Sequence, residues 1–140
     1  MVDREAFLNH LNELQNSIEN LKKLQKEISL DEFKKDRTKR NSVLHELQIA
    51  IQSCIDLGNH FISEKSLAKP ETYKEIFDIL KHNALIEDDI AEKMKELAGF
   101  RNVLVHMYLN IDLNKAYHIL NKEIPSLERF KKIAGRWLEE

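Results

Sequence analysis

Val43-Leu44-His45-Glu46-Leu47-Gln48-Ile49-Ala50-Ile51-Gln52-Ser53-Cys54-Ile55-Asp56-Leu57-Gly58-Asn59-His60-Phe61-Ile62 decides the fold. Val43, Leu44, Leu47, Ala50, Ile51, Cys54, Ile55, Gly58, Phe61 and Ile62 recur at helical spacing and cover a broad face. A helix apolar over so wide an arc packs against several others. The spacing therefore places this helix, over about residues 36–63, at the centre of a helical bundle. Asp56 and His60, four apart, are neighbours on its surface.

On its N-terminal side, Phe7, Leu11, Leu14, Ile18, Leu21 and Ile28 form one stripe on a long helix over about 3–28, with Asp3 as N-cap. Residues 29–36 read as a connection, with Ser29 and Asp31 as turn or cap residues. On the other side, 64–70 reads as a loop ending in Pro70. A short helix follows from Glu71 to about Lys81, with Tyr73, Ile76, Phe77 and Leu80 inward. After a turn at His82-Asn83-Ala84, a fourth helix starts near Glu87-Asp88-Asp89, whose acids suit its positive end. Ile90, Met94, Leu97, Ala98, Leu104 and Val105 supply its apolar faces.

Asn110-Ile111-Asp112 separates this helix from a last one capped by Asp112, in which Leu113, Ala116, Tyr117, Leu120 and Ile124 continue the pattern. Pro125 must bend or break it, because proline lacks the N–H donor and clashes with the preceding turn. The spacing resumes through Leu127, Phe130, Ile133, Ala134, Trp137 and Leu138. The expected fold is all-α: an antiparallel bundle of about five helices in a single domain over residues 1–140.

Composition agrees. The 140 residues include only 3 Gly and 2 Pro, with 33% charged and 42% hydrophobic side chains, which disfavours a turn-rich β fold. A formal net charge of −2 excludes global attraction to nucleic acid, so any RNA contact must be local. Charge is uneven: residues 22–40 carry a net +4 and residues 41–100 a net −5. The basic run could meet phosphates or be a solvated helix end and loop. The lone Cys54 reads as a small buried hydrophobe and fits a reducing cytoplasm. No signal peptide or membrane-spanning run is read. Six histidines are scattered without metal-ligand spacing, and no Gly-rich phosphate loop or activated Ser or Cys is seen, so no metal or cofactor is expected.

The chemistry concentrates in Gly99-Phe100-Arg101-Asn102-Val103-Leu104-Val105-His106-Met107-Tyr108. An apolar helix rarely carries so many polar groups, since each needs a partner or water when buried. Arginine can grip a phosphoryl group and histidine can move protons. Asn102 and His106 share a helix face, whereas Arg101 and His106 stand about 140° apart around an ideal helix. Three arrangements would bring them together: Arg101 wraps around the helix, the helix distorts near Gly99, or a two-fold dimer doubles both residues in one groove. The dimer is the favoured one. The structural alternative is that Arg101 pairs with Asp56 or Glu96, His106 is a satisfied core residue, and Tyr108 anchors the next helix.

Arg101 to Tyr108 fits the pattern Arg, four residues, His, one residue, Tyr. That pattern resembles the HepT-like toxins of the HEPN superfamily. The likeness extends to Leu47–His60 (LQIAIQSCIDLGNH), Pro70–Phe77 (PETYKEIF) and Ala98–Asp112 (AGFRNVLVHMYLNID), about residues 40–120 in all. The resemblance implies a HEPN-like, two-fold dimer with metal-independent endoribonuclease activity. It makes Arg101 and His106 the catalytic pair, with Asn102 at the polar position after the Arg; Asp56, the nearby carboxylate candidate, is expected to support them. Tyr108 becomes the residue to which a partner attaches AMP. That partner is a minimal nucleotidyltransferase antitoxin of the MntA kind.

His106 would then take the proton from an RNA 2′-hydroxyl or give one to the leaving 5′-oxygen, and Arg101 would stabilise charge on the phosphorus. Tyr108 and His106, two apart, lie on opposite sides of an ideal helix. The chain must therefore leave the helix there, or Tyr108 must act on the other subunit's site. AMP on its hydroxyl would add bulk and negative charge and so block RNA. Two other readings stand beside this one: a non-catalytic nucleotide-binding or docking subunit of a nucleotidyltransferase complex, and a structural dimerisation bundle.

Overall fold

The computed structural model describes residues 4–139. The Asp3 cap expected for the first helix lies outside them. Among the described residues the chain forms seven α-helices and two single-turn 3-10 helices: α1 Arg4–Glu27, α2 Leu30–Lys35, α3 Arg37–Glu64, α4 Tyr73–His82, α5 Asp88–His106, α6 Leu113–Lys122 and α7 Ile124–Arg136, with the short turns at Tyr108–Asn110 and Trp137–Glu139. The fold is the expected antiparallel helical bundle. Helix α3 is its axis and packs against α1, α2, α4, α5, α6 and α7. Val43, Leu47, Ala50, Ile51, Cys54 and Leu57 on α3 are all buried, as the breadth of its apolar face requires.

One boundary differs from the sequence expectation, and one open alternative is decided. Residues 29–36 are not a plain connection, because they contain α2. Ser29 and Glu32 form a reciprocal capping box, and Phe33 is fully buried against the core. A six-residue helix is too short to show a periodic stripe, so one buried aromatic and a cap carry it. Pro125 breaks the last expected helix rather than bending it. Helix α6 stops at Lys122, and the proline sits in the first turn of α7, where its missing N–H removes no helical hydrogen bond. Asp112 caps α6 as expected, its carboxylate accepting from the N–H groups of Asn114 and Lys115 at 3.0 and 3.2 Å.

One close contact fixes the cleft described below. A Cβ built on Gly58 would lie 2.7 Å from Ile76 Cγ2 and 3.3 Å from Leu80 Cδ1, so the missing side chain lets α4 sit tightly on α3. Thr72 caps α4, its hydroxyl accepting from the Glu75 N–H, and Tyr73 opens the helix.

Candidate functional site

Helix α5 carries the Arg–His–Tyr stretch. It runs unbroken from Asp88 to His106, so no distortion at Gly99 brings Arg101 and His106 together. Its apolar face is narrower than expected. Leu104 is buried, but Val105 is 39% exposed and does not join the core. The helix ends at His106, where the N–H of Met107 bonds back to the carbonyl of Val103. The chain then turns into the 3-10 segment at Tyr108.

Arg101, Asn102 and His106 line one open cleft of about 580 Å³, faced by Asp56 and Asn59 of α3 and by Thr72 and Tyr73 at the start of α4. A single protomer thus places all three on a shared lining. Arg101 achieves this by reach: its stem crosses the helix surface and its guanidinium stacks over the Tyr73 ring, 5.1 Å from the centroid. Its Nε donates to the side-chain oxygen of Gln52 at 2.8 Å, and one terminal nitrogen donates to Asn102 Oδ1 at 3.3 Å. Gln52 in turn donates to Asp56 Oδ1 at 2.9 Å.

Arg101 therefore pairs with neither Asp56 nor Glu96, and among the described residues it forms no ion pair. The neutral amide of Gln52 stands between the cation and the Asp56 carboxylate. Gln52 orients the guanidinium without neutralising it, which leaves its charge for an incoming anion. Asp56 also faces His10, Nδ1 to Oδ2 3.8 Å, so it belongs to a surface network on α1 and α3. His60 is not its partner. It packs edge-on against Phe7 and approaches Glu64 at 4.0 Å.

His106 is exposed at the cleft rim, and among the described residues none hydrogen-bonds its ring. A satisfied core histidine would be buried and bonded; this one is neither. Around it Val105, Met107 and Leu109 present apolar side chains to solvent, with Leu109 94% exposed.

Tyr108 lines a different surface. Its hydroxyl donates to Asn41 Oδ1 on α3, and its ring stands between a groove holding Asn41, His45 and Gln48 and a second groove holding Lys34, Arg37 and Arg40. It does not reach the Arg101 cleft of its own protomer.

Sequence reasoning missed Gln52 and the role of Tyr73. Tyr73 reads as a core residue because it falls on the apolar stripe of α4, yet it is half-buried and shows its face to Arg101. Gln52 is polar at a position flanked by Ile51 and Ser53, and only its placement opposite Arg101 reveals it.

Among the described residues no group of three or more His, Cys, Asp or Glu stands close enough to hold a metal ion. No helix among them is long and apolar enough to cross a membrane.

The same arrangement of helices occurs in known proteins. A tri-AMPylated HEPN toxin of Shewanella oneidensis, solved in complex with an MNT antitoxin, superposes with a TM-score of 0.85 at 26% identity, over 94% of this chain and 97% of that one. An mRNA nuclease HepT from Shewanella oneidensis is 31% identical over 99 residues, 71% of this chain and 74% of that protein. A tRNA nuclease HepT from Aphanizomenon flos-aquae is 30% identical over 71% of this chain and 67% of its own length. A family model described as ribonuclease HepT-like matches residues 14–133, which include every helix that builds the cleft. With an exposed histidine and an unpaired arginine sharing that cleft, the chain belongs to the HepT-like ribonuclease family.

Proposed function

We propose that this chain is the toxin of a toxin–antitoxin pair, an endoribonuclease that cuts RNA with Arg101 and His106. The observation that carries this reading is the shared cleft, in which a guanidinium held by Gln52 and Tyr73 faces the same opening as an unbonded imidazole. His106 accepts the proton of the 2′-hydroxyl. The 2′-oxygen attacks phosphorus, the bond to the 5′-oxygen breaks, and the leaving oxygen takes a proton from the imidazolium or from water. Arg101 stabilises the additional negative charge on the phosphoryl oxygens. The products carry a 2′,3′-cyclic phosphate and a 5′-hydroxyl, and no step calls on a metal.

Asn102 supports the site through Arg101, and Asp56 does so through Gln52. The exposed Val105 and Met107 are the kind of surface that a second copy covers, which supports a homodimer with two clefts. AMP transferred to Tyr108 by a minimal nucleotidyltransferase antitoxin, as the AMPylated toxin of similar fold suggests, would silence the enzyme. We place this action in the cytoplasm, in keeping with the unpaired, buried thiol of Cys54.

The test is cleavage of defined RNAs in EDTA, with product ends read by mass spectrometry. Cyclic phosphate ends are expected, with resistance wherever a 2′-deoxy nucleotide replaces the attacking ribose. Equal cleavage by an Arg101→Ala/His106→Ala double variant would overturn the assignment.

A further inference from the structure

We infer that the groove between α2, the start of α3 and the segment after α5 is a phosphodiester subsite that seats the RNA backbone beside the Arg101–His106 cleft; the inference rests on the nuclease reading above. The groove has a volume of about 450 Å³. Lys34, Arg37 and Arg40 line it together with Tyr108 over apolar side chains that include Leu44 and Ile111, and no carboxylate shares the lining.

The acids of the same segment are engaged elsewhere. Asp31 pairs with Lys35 at 3.1 Å, Glu32 pairs with Lys39, and the Asp36 carboxylate caps α3 through the Lys39 N–H at 3.1 Å. Among the described residues Lys34 and Arg37 form no ion pair, while Arg40 is fastened to the carbonyls of Phe33 and Lys34 at 3.3 and 2.8 Å. Arg40 thus ties α2 to α3 and holds the groove in shape, leaving Lys34 and Arg37 as the free cations. Three of the eight cations in residues 22–40 thus meet on this one surface. With a net charge of −2, the chain can attract a polyanion only locally.

Position in the chain links the groove to the chemistry. His106 and Tyr108 are separated by two Cα–Cα steps, at most about 7.6 Å. A strand with one phosphate at His106 therefore passes close to the groove with a neighbouring part of its backbone. Tyr108 lines that groove, so an anionic group added to Tyr108 would compete with the strand for the same cations.

The experiment measures affinity of the full chain for single-stranded RNA against salt concentration, in a His106→Ala background that prevents cleavage, with cleavage by the unaltered chain assayed in parallel. Lys34→Glu/Arg37→Glu should weaken binding at least tenfold at moderate salt. The milder Lys34→Gln/Arg37→Gln, which removes charge without reversing it, should lower the log–log salt slope by about 1.4, the value for two lost phosphate contacts on a single strand. Lys132→Glu/Arg136→Glu on α7 makes the same change in net charge away from the groove and should leave the slope alone. If the unaltered chain cleaves RNA but the groove variants bind with the parent's affinity and slope, the subsite is overturned and the nuclease reading stands. If the unaltered chain neither cleaves nor binds RNA, both fall.

Discussion

His106 and Tyr108 are two residues apart in the chain and face different grooves: the imidazole opens onto the cleft with Arg101, and the tyrosine hydroxyl is bonded to Asn41 outside that cleft. The turn from α5 into the 3-10 segment at Tyr108 creates this division. Modification of Tyr108 therefore need not touch Arg101 or His106 of its own protomer. Tyr108→Phe should keep RNA cleavage within a fewfold of the parent and abolish transfer of AMP by the partner enzyme. Intact-mass measurement after co-expression reads the second effect, and a mass gain that persists in Tyr108→Phe would move the modification to another residue.

Arg101 works as a cation in a fixed pose. Arg101→Lys keeps the charge but loses both the planar face on Tyr73 and the Nε donor to Gln52. Cleavage should fall about 10²-fold, in the range for loss of one oriented electrostatic contact. His106→Ala should cost about 10²–10⁴-fold, the usual contribution of a general acid–base group. Both are read as single-turnover rates on one RNA, with folding checked by circular dichroism.

On the proposed function Gln52 is a positioning residue, because it would act on the reaction through its hydrogen bond with Arg101. Gln52→Leu fills the same space without the acceptor, so the guanidinium loses its anchor while keeping its charge. The rate at saturating RNA should drop about tenfold, a change of about 1.4 kcal/mol in the barrier, while RNA affinity stays near that of the parent. A purely structural role for Gln52 would instead lower thermal stability and leave the rate of the folded fraction unchanged. Gln52→Glu should do worse than Leu, since a carboxylate there would pair with Arg101 and crowd Asp56.

The long helices, and the placing of Arg101 and His106 on one of them, were legible in the sequence for a physical reason. Long amphipathic segments such as α1 and α3 repeat their signal over many turns, and Arg and His stand out in an apolar helix. What escaped were features set by single contacts. Helix α2 depends on one cap and one buried ring, at Ser29 and Phe33. The exposure of Val105 depends on where α5 ends, which periodicity does not mark. The angular gap between Arg101 and His106 argued for a second subunit, but the reach of the arginine stem over Tyr73 already gives them one cleft. Gln52 came to light only because folding places α3 against α5.

Cys54 is fully buried, and burial holds its thiol well above the usual cysteine range. A thiol reagent at neutral pH should leave the native chain unlabelled and modify it fully in denaturant. Labelling against denaturant concentration then reports global opening of the core around α3. Fast labelling of the native chain would show that α3 is not the centre of the bundle.

Gly58 couples the packing of the bundle to the chemistry. Its α-carbon faces Ile76 and Leu80, so a methyl group there must push α4 away from α3 or force those side chains out of place. Gly58→Ala should destabilise the fold by about 1–3 kcal/mol, the usual result of overfilling a packed core. Helix α4 also brings Tyr73 beneath Arg101, so displacement of that helix widens the cleft and loosens the guanidinium. The variant should therefore cleave RNA more slowly even at a temperature where it is fully folded. Ile76→Leu has no branch at Cβ and so removes the Cγ2 methyl at the point of contact. Combined with Gly58→Ala, it should recover part of both the stability and the rate. Recovery of stability without any recovery of rate would separate the position of α4 from catalysis and leave Gln52 as the main support of Arg101.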